Sequence, residues 1–269
     1  MTDYKISKLY IHPIKSLHYV EVESFNVVEN GAEFDRQWMI IDENDRFITQ
    51  RTVPRMALIQ PTIQEENLVI NIPQEPPRVH DIEEFEGEPR IATIWKDLCS
   101  VVEVSSETSE KLSRFLDTPV KLVRMDPRSS RKLNERYTGD NHRHINFQDS
   151  QPFLVISESS LSVLNSKLKE PLPMNRFRPN IVISGSIEAH DEDKWKEIKI
   201  GDLSLQFSKL CTRCTITSTD QETGERKDRE PLTTLKTYRM TDKGISFGAY
   251  FIHQNFGKIT LGDTVEIQQ

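Results

Sequence analysis

Two cysteines, Cys211 and Cys214, flank an arginine within the segment KLCTRCTITSTDQETGERKDREPLTTLKTYR at 209–239. Cysteine binds metals as the soft thiolate, and a neighbouring cation favours that form. Arg213 adjoins Cys214 and Lys209 lies close by, so a thiol here suits metal binding or redox work. The spacing itself leaves three readings open: half of a zinc site, a thioredoxin-like dithiol, or two inert buried thiols. Structural zinc needs four ligands, yet the one other cysteine is the distant Cys99 and the chain has no HxxxH pair. A thioredoxin-type dithiol opens a helix, whereas residues 215–219 alternate like a strand and run into a turn at 220–224.

The elements that must position these thiols read mostly as strand. Residues 8–14 and 20–28 alternate apolar and polar, with a turn signal at Asn30-Gly31. Strands are expected at 37–42, returning through 47–50, and at 68–72, while 73–88 is proline-rich and acidic and reads as a surface loop. A strand at 101–104 leads to a helix capped by Ser105 or Ser106, with Leu112, Phe115 and Leu116 on its buried stripe. A strand at 120–124 precedes a long polar loop at 126–149, the kind of segment that often carries function. A strand at 153–156 runs into a helix capped by Ser157 with Leu161, Leu164 and Leu168 on one face. Hairpins turning at Gly-Asp are expected at 198–207 and 259–267. The fold class is β-rich mixed α/β, nearer barrels or sandwiches than a Rossmann sheet. Without a glycine-rich phosphate loop, P-loop and dinucleotide readings fall away.

The chain has 269 residues, enough for one large or two ordinary domains. A net charge of −7 without a lysine or arginine run gives nucleic acid no electrostatic footing. Three cysteines argue against a disulfide-built secreted protein. The first residues lack a signal-peptide apolar core, and no apolar run is long enough to cross a bilayer. The expectation is a cytoplasmic protein with no membrane partner.

Several separated segments together resemble one family. The cysteine segment, RFRPNIVISG at 176–185 and FQDSQPFLVISESSLSVLN at 147–165 look like a MOSC domain. HPIKS at 12–16, GAEFDRQWMIID at 31–42 and TQR with Pro54 at 49–54 look like the β-barrel domain that precedes it in that family. The pattern is similar to that of mitochondrial amidoxime-reducing components and bacterial N-hydroxylated-base reductases. It runs in order along essentially the whole chain. The resemblance implies an N-terminal β-barrel domain at 1–95 and a MOSC β-barrel domain with a few helices at 96–269.

It further implies a Mo-molybdopterin cofactor (molybdenum cofactor) whose metal is held by Cys214, with Cys211 a neighbour rather than a ligand. The family's phosphate and pterin contacts fall on Lys15, Ser16 and Arg36, then on Ser150 and Gln151, Arg178 and Asn180, Arg213 and Tyr250. Asp149 is the candidate catalytic carboxylate, able to orient water or substrate. An acidic protein that binds an anionic cofactor must build a local cationic pocket. Lys15, Arg36, Arg51, Arg178 and Arg213 can supply one, arginine through its planar fork and lysine as a point charge. Arg213 is expected to help hold Cys214 as thiolate. His142 and His144 alternate on a polar loop and read as solvent-facing, and Cys99 reads as a small buried hydrophobe.

The activity implied is reduction of small N-hydroxylated substrates such as amidoximes, hydroxylamines and N-hydroxylated bases. Some bacterial relatives continue into a ferredoxin domain with four cysteines. This chain ends at Gln269 without that cluster, so electrons are expected from a separate flavin, cytochrome or iron–sulfur protein. The alternatives are a module that binds or carries molybdenum cofactor, and a sulfur-transfer protein with Cys214 as persulfide carrier.

Overall fold

A computed structural model describes residues 3–133 and 144–269. The chain is mostly sheet, and its largest sheet has nine strands. From one edge these are Val20–Val22, Lys5–Ile11, Ile181–Ser184, Phe153–Ser157, Gly244–His253, Leu203–Thr212, Glu197–Ile200 and Glu266–Gln268, with Met240–Thr241 paired to Gly244–His253. The N-terminal strand therefore pairs with one far along the chain, Leu9 opposite Ile181. The strand Phe153–Ser157 is buried throughout. Phe153 and Val155 join one apolar cluster while Leu154 and Ile156 join another, as the two-residue period of a strand covered on both faces requires.

A second sheet runs Trp38–Asp42, Val120–Met125, Asp97–Glu103, Glu86–Ile94, and its first strand carries four consecutive buried residues. Helix α1, Ser106–Leu116, begins where Ser105 Oγ accepts the Thr108 amide at 3.4 Å. It buries Leu112 and Leu116, one turn apart, and stops at Asp117 in the left-handed conformation. Helix α2, Glu158–Asn165, is capped by Ser157, whose side chain accepts from the Ser160 amide. The caps at Ser105 and Ser157 agree with the sequence expectation, as does the hairpin Glu197–Ile200 with Leu203–Thr212.

Three local expectations are corrected. Residues 215–218 form a 3-10 turn rather than a strand, because the Thr217 amide and hydroxyl both bond back to the Cys214 carbonyl, at 3.2 and 2.9 Å. Residues 73–88 include the strand Arg78–Asp81, which pairs with Asn67–Asn71, because a half-buried edge strand needs few apolar residues. The stretch 259–267 is a corner and not a hairpin: Gly257–Thr260 pairs with Ser24–Val28, while Glu266–Gln268 pairs with Glu197–Ile200.

Candidate active site

The cleft that holds Cys214 is assembled from six separated stretches. Lys15, Ser16 and Arg36 come from the N-terminal part, Gln148, Asp149 and Gln151 from the loop before Phe153–Ser157, Phe177, Arg178 and Asn180 from the next turn, and Cys211–Cys214 and Tyr250 from the paired strands beyond. Main-chain strain marks the same place. Ser16, Arg36 and Arg178 all sit in the left-handed region, at φ 64°, 49° and 54°. Each such residue costs about 1–3 kcal/mol unless its surroundings over-determine it, and such residues gather at functional sites.

What over-determines them is visible. Asp35 is fully buried; it accepts the His12 amide at 2.9 Å and Arg36 Nη1 at 2.6 Å, which fixes the Arg36 guanidinium. Arg36 Nη1 also reaches Asn180 Oδ1 at 3.3 Å. Asn180 spends its amide holding Leu154 N and Tyr10 O, so it orients the cradle from behind. Arg178 is buried and donates through Nη1 to the Leu17 carbonyl at 2.7 Å. Burial first, and then Arg36, push its pKa down to about 9. The like charges are crowded there.

Arg178 Nη2, Arg213 Nε and Gln151 Oε1 are buried with no partner. Lys15 is buried, and its ammonium donates to the Phe147 carbonyl at 2.7 Å and to the Asp149 carboxylate. Burial lowers the Lys15 pKa to about 8 against the pull of Asp149. Asp149 keeps 36% side-chain exposure at the lip. Enclosure by protein works to raise its pKa, a modest effect at that exposure, and Lys15, Arg51 and Arg36 outweigh it and hold the carboxyl well below the usual range.

The two thiols are unlike. Cys211 is 2% exposed and accepts from Arg213 Nη1 at 2.8 Å. Arg213 also donates to the Phe177 carbonyl. Cys214 is half-buried, and it accepts from Arg51 Nε at 3.4 Å. Arg213, expected to help hold Cys214 as thiolate, acts on it through charge and keeps its hydrogen bond for Cys211, while Arg51 makes the direct bond to Cys214. Just past the strand Leu203–Thr212, Arg213 turns back to Cys211, and Arg51 arrives at Cys214 from another segment. Tyr250 is enclosed beside Cys211, and burial, then Cys211, raises its pKa well above the usual phenol value.

Ten of the eleven expected site residues line one cleft; Ser150, half-buried beside Asp149, does not line it. His144 lies away from it and bonds Glu29 at 2.6 Å, and His142 falls outside the described residues. Cys99 is buried as expected. Among the described residues no three His, Cys, Asp or Glu side chains converge on a point, which gives the zinc reading no cage. Sequence reasoning missed Gln148, Phe177, Trp95 and Arg226. Gln148, Phe177 and Arg226 lie inside the quoted motifs without a role read for them, and Trp95 had no signal.

A β-rich protein with a cationic cleft and a thiol at one end is a class shared by many folds; comparison of sequences narrows it. Residues 3–119 match the MOSC N-terminal beta barrel domain and residues 142–266 the MOSC domain. The chain is 33% identical over 293 residues to mitochondrial amidoxime-reducing component 1 of Mus musculus, covering 97% of this chain and 81% of that protein. It is also 33% identical to mitochondrial amidoxime-reducing component 1 of Danio rerio, covering 97% of this chain and 83% of that protein. The chain belongs to the MOSC family that carries the N-terminal barrel domain, together with the amidoxime-reducing components. Among solved structures, the YUAD protein of Bacillus subtilis aligns over 99% of this chain and 96% of its own at TM-score 0.44 and 12% identity, too distant a likeness to bear on function. No helix among the described residues is long and apolar enough to cross a membrane.

Proposed function

We propose that the protein is a molybdenum-cofactor-dependent oxidoreductase that reduces N-hydroxylated compounds with electrons from a separate donor protein. One observation carries the reading: four cations, Lys15, Arg36, Arg178 and Arg213, line one cleft with a single carboxylate and a half-buried thiol. The donor set fits an anionic pterin phosphate with a soft metal at its far end. Arg178 Nη2 and Arg213 Nε are buried donors without acceptors, and such groups cost about 1–3 kcal/mol each until a ligand satisfies them. Lys15, Arg36, Arg178 and Arg213 would hold the anionic portion, with Ser16, Gln151 and Tyr250 beside it and Ser150 behind Asp149. Cys214 would be the metal ligand.

Molybdenum bound there supplies the two-electron couple that, with two protons, converts an N–OH group to N–H and water. The protein's own part is orientation and charge. Asp149 is ionised at neutral pH, so it accepts a hydrogen bond from the substrate N–OH or a water and does not itself donate a proton. Lys15 holds an exchangeable proton on Nζ, donated to Asp149. The substrate class follows the relatives, which are amidoxime-reducing components.

The test uses protein from a host that makes the cofactor, with reduced viologen as donor. Molybdenum and pterin content and benzamidoxime reduction are measured for wild type, Cys214→Ser and Cys211→Ser. The expected outcome is loss of reduction in Cys214→Ser with pterin retained, and a far smaller effect of Cys211→Ser. Equal loss in both, with zinc or a disulfide in the wild type, would show the two cysteines acting as a unit and sink the assignment. A second arm substitutes Lys15 and Arg36 by Ala together; undiminished pterin content would remove the N-terminal segment from the site.

A further inference from the structure

Arg51 is the cation that does not line the anion cradle. It stands at the other end, between the two candidate reactive groups. Its Nε donates to Cys214 Sγ at 3.4 Å and its Nη2 to Asp149 Oδ2 at 3.0 Å. The guanidinium lies over the Trp95 ring, 4.6 Å from the centroid. The Trp95 indole N–H in turn reaches Asp149 Oδ1 at 3.3 Å. Trp95 itself is left-handed at φ 57°, 47% exposed, and leans on Phe47 at 5.1 Å. Behind the clasp, Arg226 donates to the Arg51 carbonyl at 3.0 Å and to that of Gln50, so the backbone that carries the guanidinium is pinned from the C-terminal half. An exposed tryptophan on strained backbone and an arginine shared between a thiol and a carboxylate need a common reason.

We propose that Arg51, seated on Trp95, is a positioning residue that fixes the spacing of Cys214 and Asp149, so that substrate reaches the metal ligand only alongside the carboxylate. The planar fork matters, because one guanidinium satisfies sulfur and oxygen in directions that a lysine ammonium cannot hold together. The aromatic pad matters because it removes the rotamer freedom that an arginine with 24% side-chain exposure would otherwise keep. The kinetic consequence rests on the reductase reading, but the clasp itself does not.

Both parts can be read separately, because Trp38 and Trp195 are 1% and 2% exposed and acrylamide quenching of tryptophan fluorescence therefore reports Trp95. In full-length protein free of cofactor, Arg51→Ala and Arg51→Lys should each raise the quenching constant about twofold as the stack is lost. Cys214→Ala, which touches Trp95 only through Arg51, should raise it in the same direction. In cofactor-loaded protein, Arg51→Ala and Arg51→Lys should lower kcat by about tenfold to a hundredfold with molybdenum content and KM little changed. Trp95→Phe keeps a ring under the guanidinium and should keep most of kcat. Quenching unaltered by Arg51→Ala or by Cys214→Ala overturns the clasp, and recovery of wild-type kcat by Arg51→Lys overturns the fork in favour of charge alone. If loaded wild type reduces no N-hydroxylated compound, the reductase reading fails while the quenching arm still decides the clasp.

Discussion

A cradle of cations with no anion in it should weaken the fold that carries it, and Arg178 gives the magnitude. Arg178 is 8% exposed, and its guanidinium sits beside Arg36 and leaves Nη2 without an acceptor. Burial and then Arg36 push its pKa down to about 9. At about 1.4 kcal/mol per pH unit, the charged form costs the empty fold up to roughly 5 kcal/mol. The folded value lies below the unfolded one, so this cost is fully present below about pH 9 and is relieved as pH climbs above it. Arg178→Met removes the charge and keeps most of the length. It also forfeits the bond to the Leu17 carbonyl, about 1.5–3 kcal/mol for a charged donor. The net expectation is a cofactor-free variant about 1–3 kcal/mol more stable than wild type near pH 7, or several degrees in Tm. The assay is urea unfolding of both proteins with and without inorganic phosphate. Phosphate should stabilise wild type, by about 2.7 kcal/mol at a hundredfold excess over Kd, and leave the variant much less affected. A variant less stable than wild type by 1 kcal/mol or so, or equal stabilisation of both by phosphate, would refute the idea that the charge is held in reserve for an anion.

Other consequences follow from single residues. His190 has both ring nitrogens buried without partners, and burial, then Arg239 and Lys167, lower its pKa from 6.5 to about 4. Because the unfolded chain takes up this proton first, stability should fall as pH drops from 6.5 toward 4, by about 1–2 kcal/mol after allowing for partial exposure. His190→Asn, which tolerates the left-handed φ of 68°, should flatten that part of the pH profile in urea titrations; an unchanged slope contradicts it. Gly248 has φ +75°, and a Cβ there would lie 2.6 Å from Ile156 Cγ1 and 3.0 Å from the Val155 carbonyl. Gly248→Ala should cost about 2–4 kcal/mol and lower Tm by roughly 5–15 °C; a calorimetric Tm equal to wild type would show that the strand Gly244–His253 shifts freely. Arg226→Ala frees the carbonyls of Gln50 and Arg51 and should loosen Arg51, raising acrylamide quenching of Trp95 without lowering pterin content.

The sequence determined the elements and the chemistry-bearing residue types. Caps such as Ser105 and Ser157 act through bonds to amides three residues on, and the apolar period of α1 is a property of neighbouring residues. Such local features are legible in the chain itself. So are most of the residues around the cleft, because the ordered motifs keep them legible together. What the sequence could not decide was pairing. The stretch 259–267 has the local signature of a hairpin, yet its two halves join different sheets, pairing with Ser24–Val28 and Glu197–Ile200. The same holds at the site. Arg213 adjoins Cys214 in sequence, but its guanidinium bonds Cys211. Arg51, far from Cys214 along the chain, is brought to it by the fold. Nothing local in the sequence marks Trp95, and only tertiary structure set its indole against Arg51 and Asp149. Local rules reach a few residues along the chain, whereas a charge cluster is an agreement among segments that only folding brings within hydrogen-bond range.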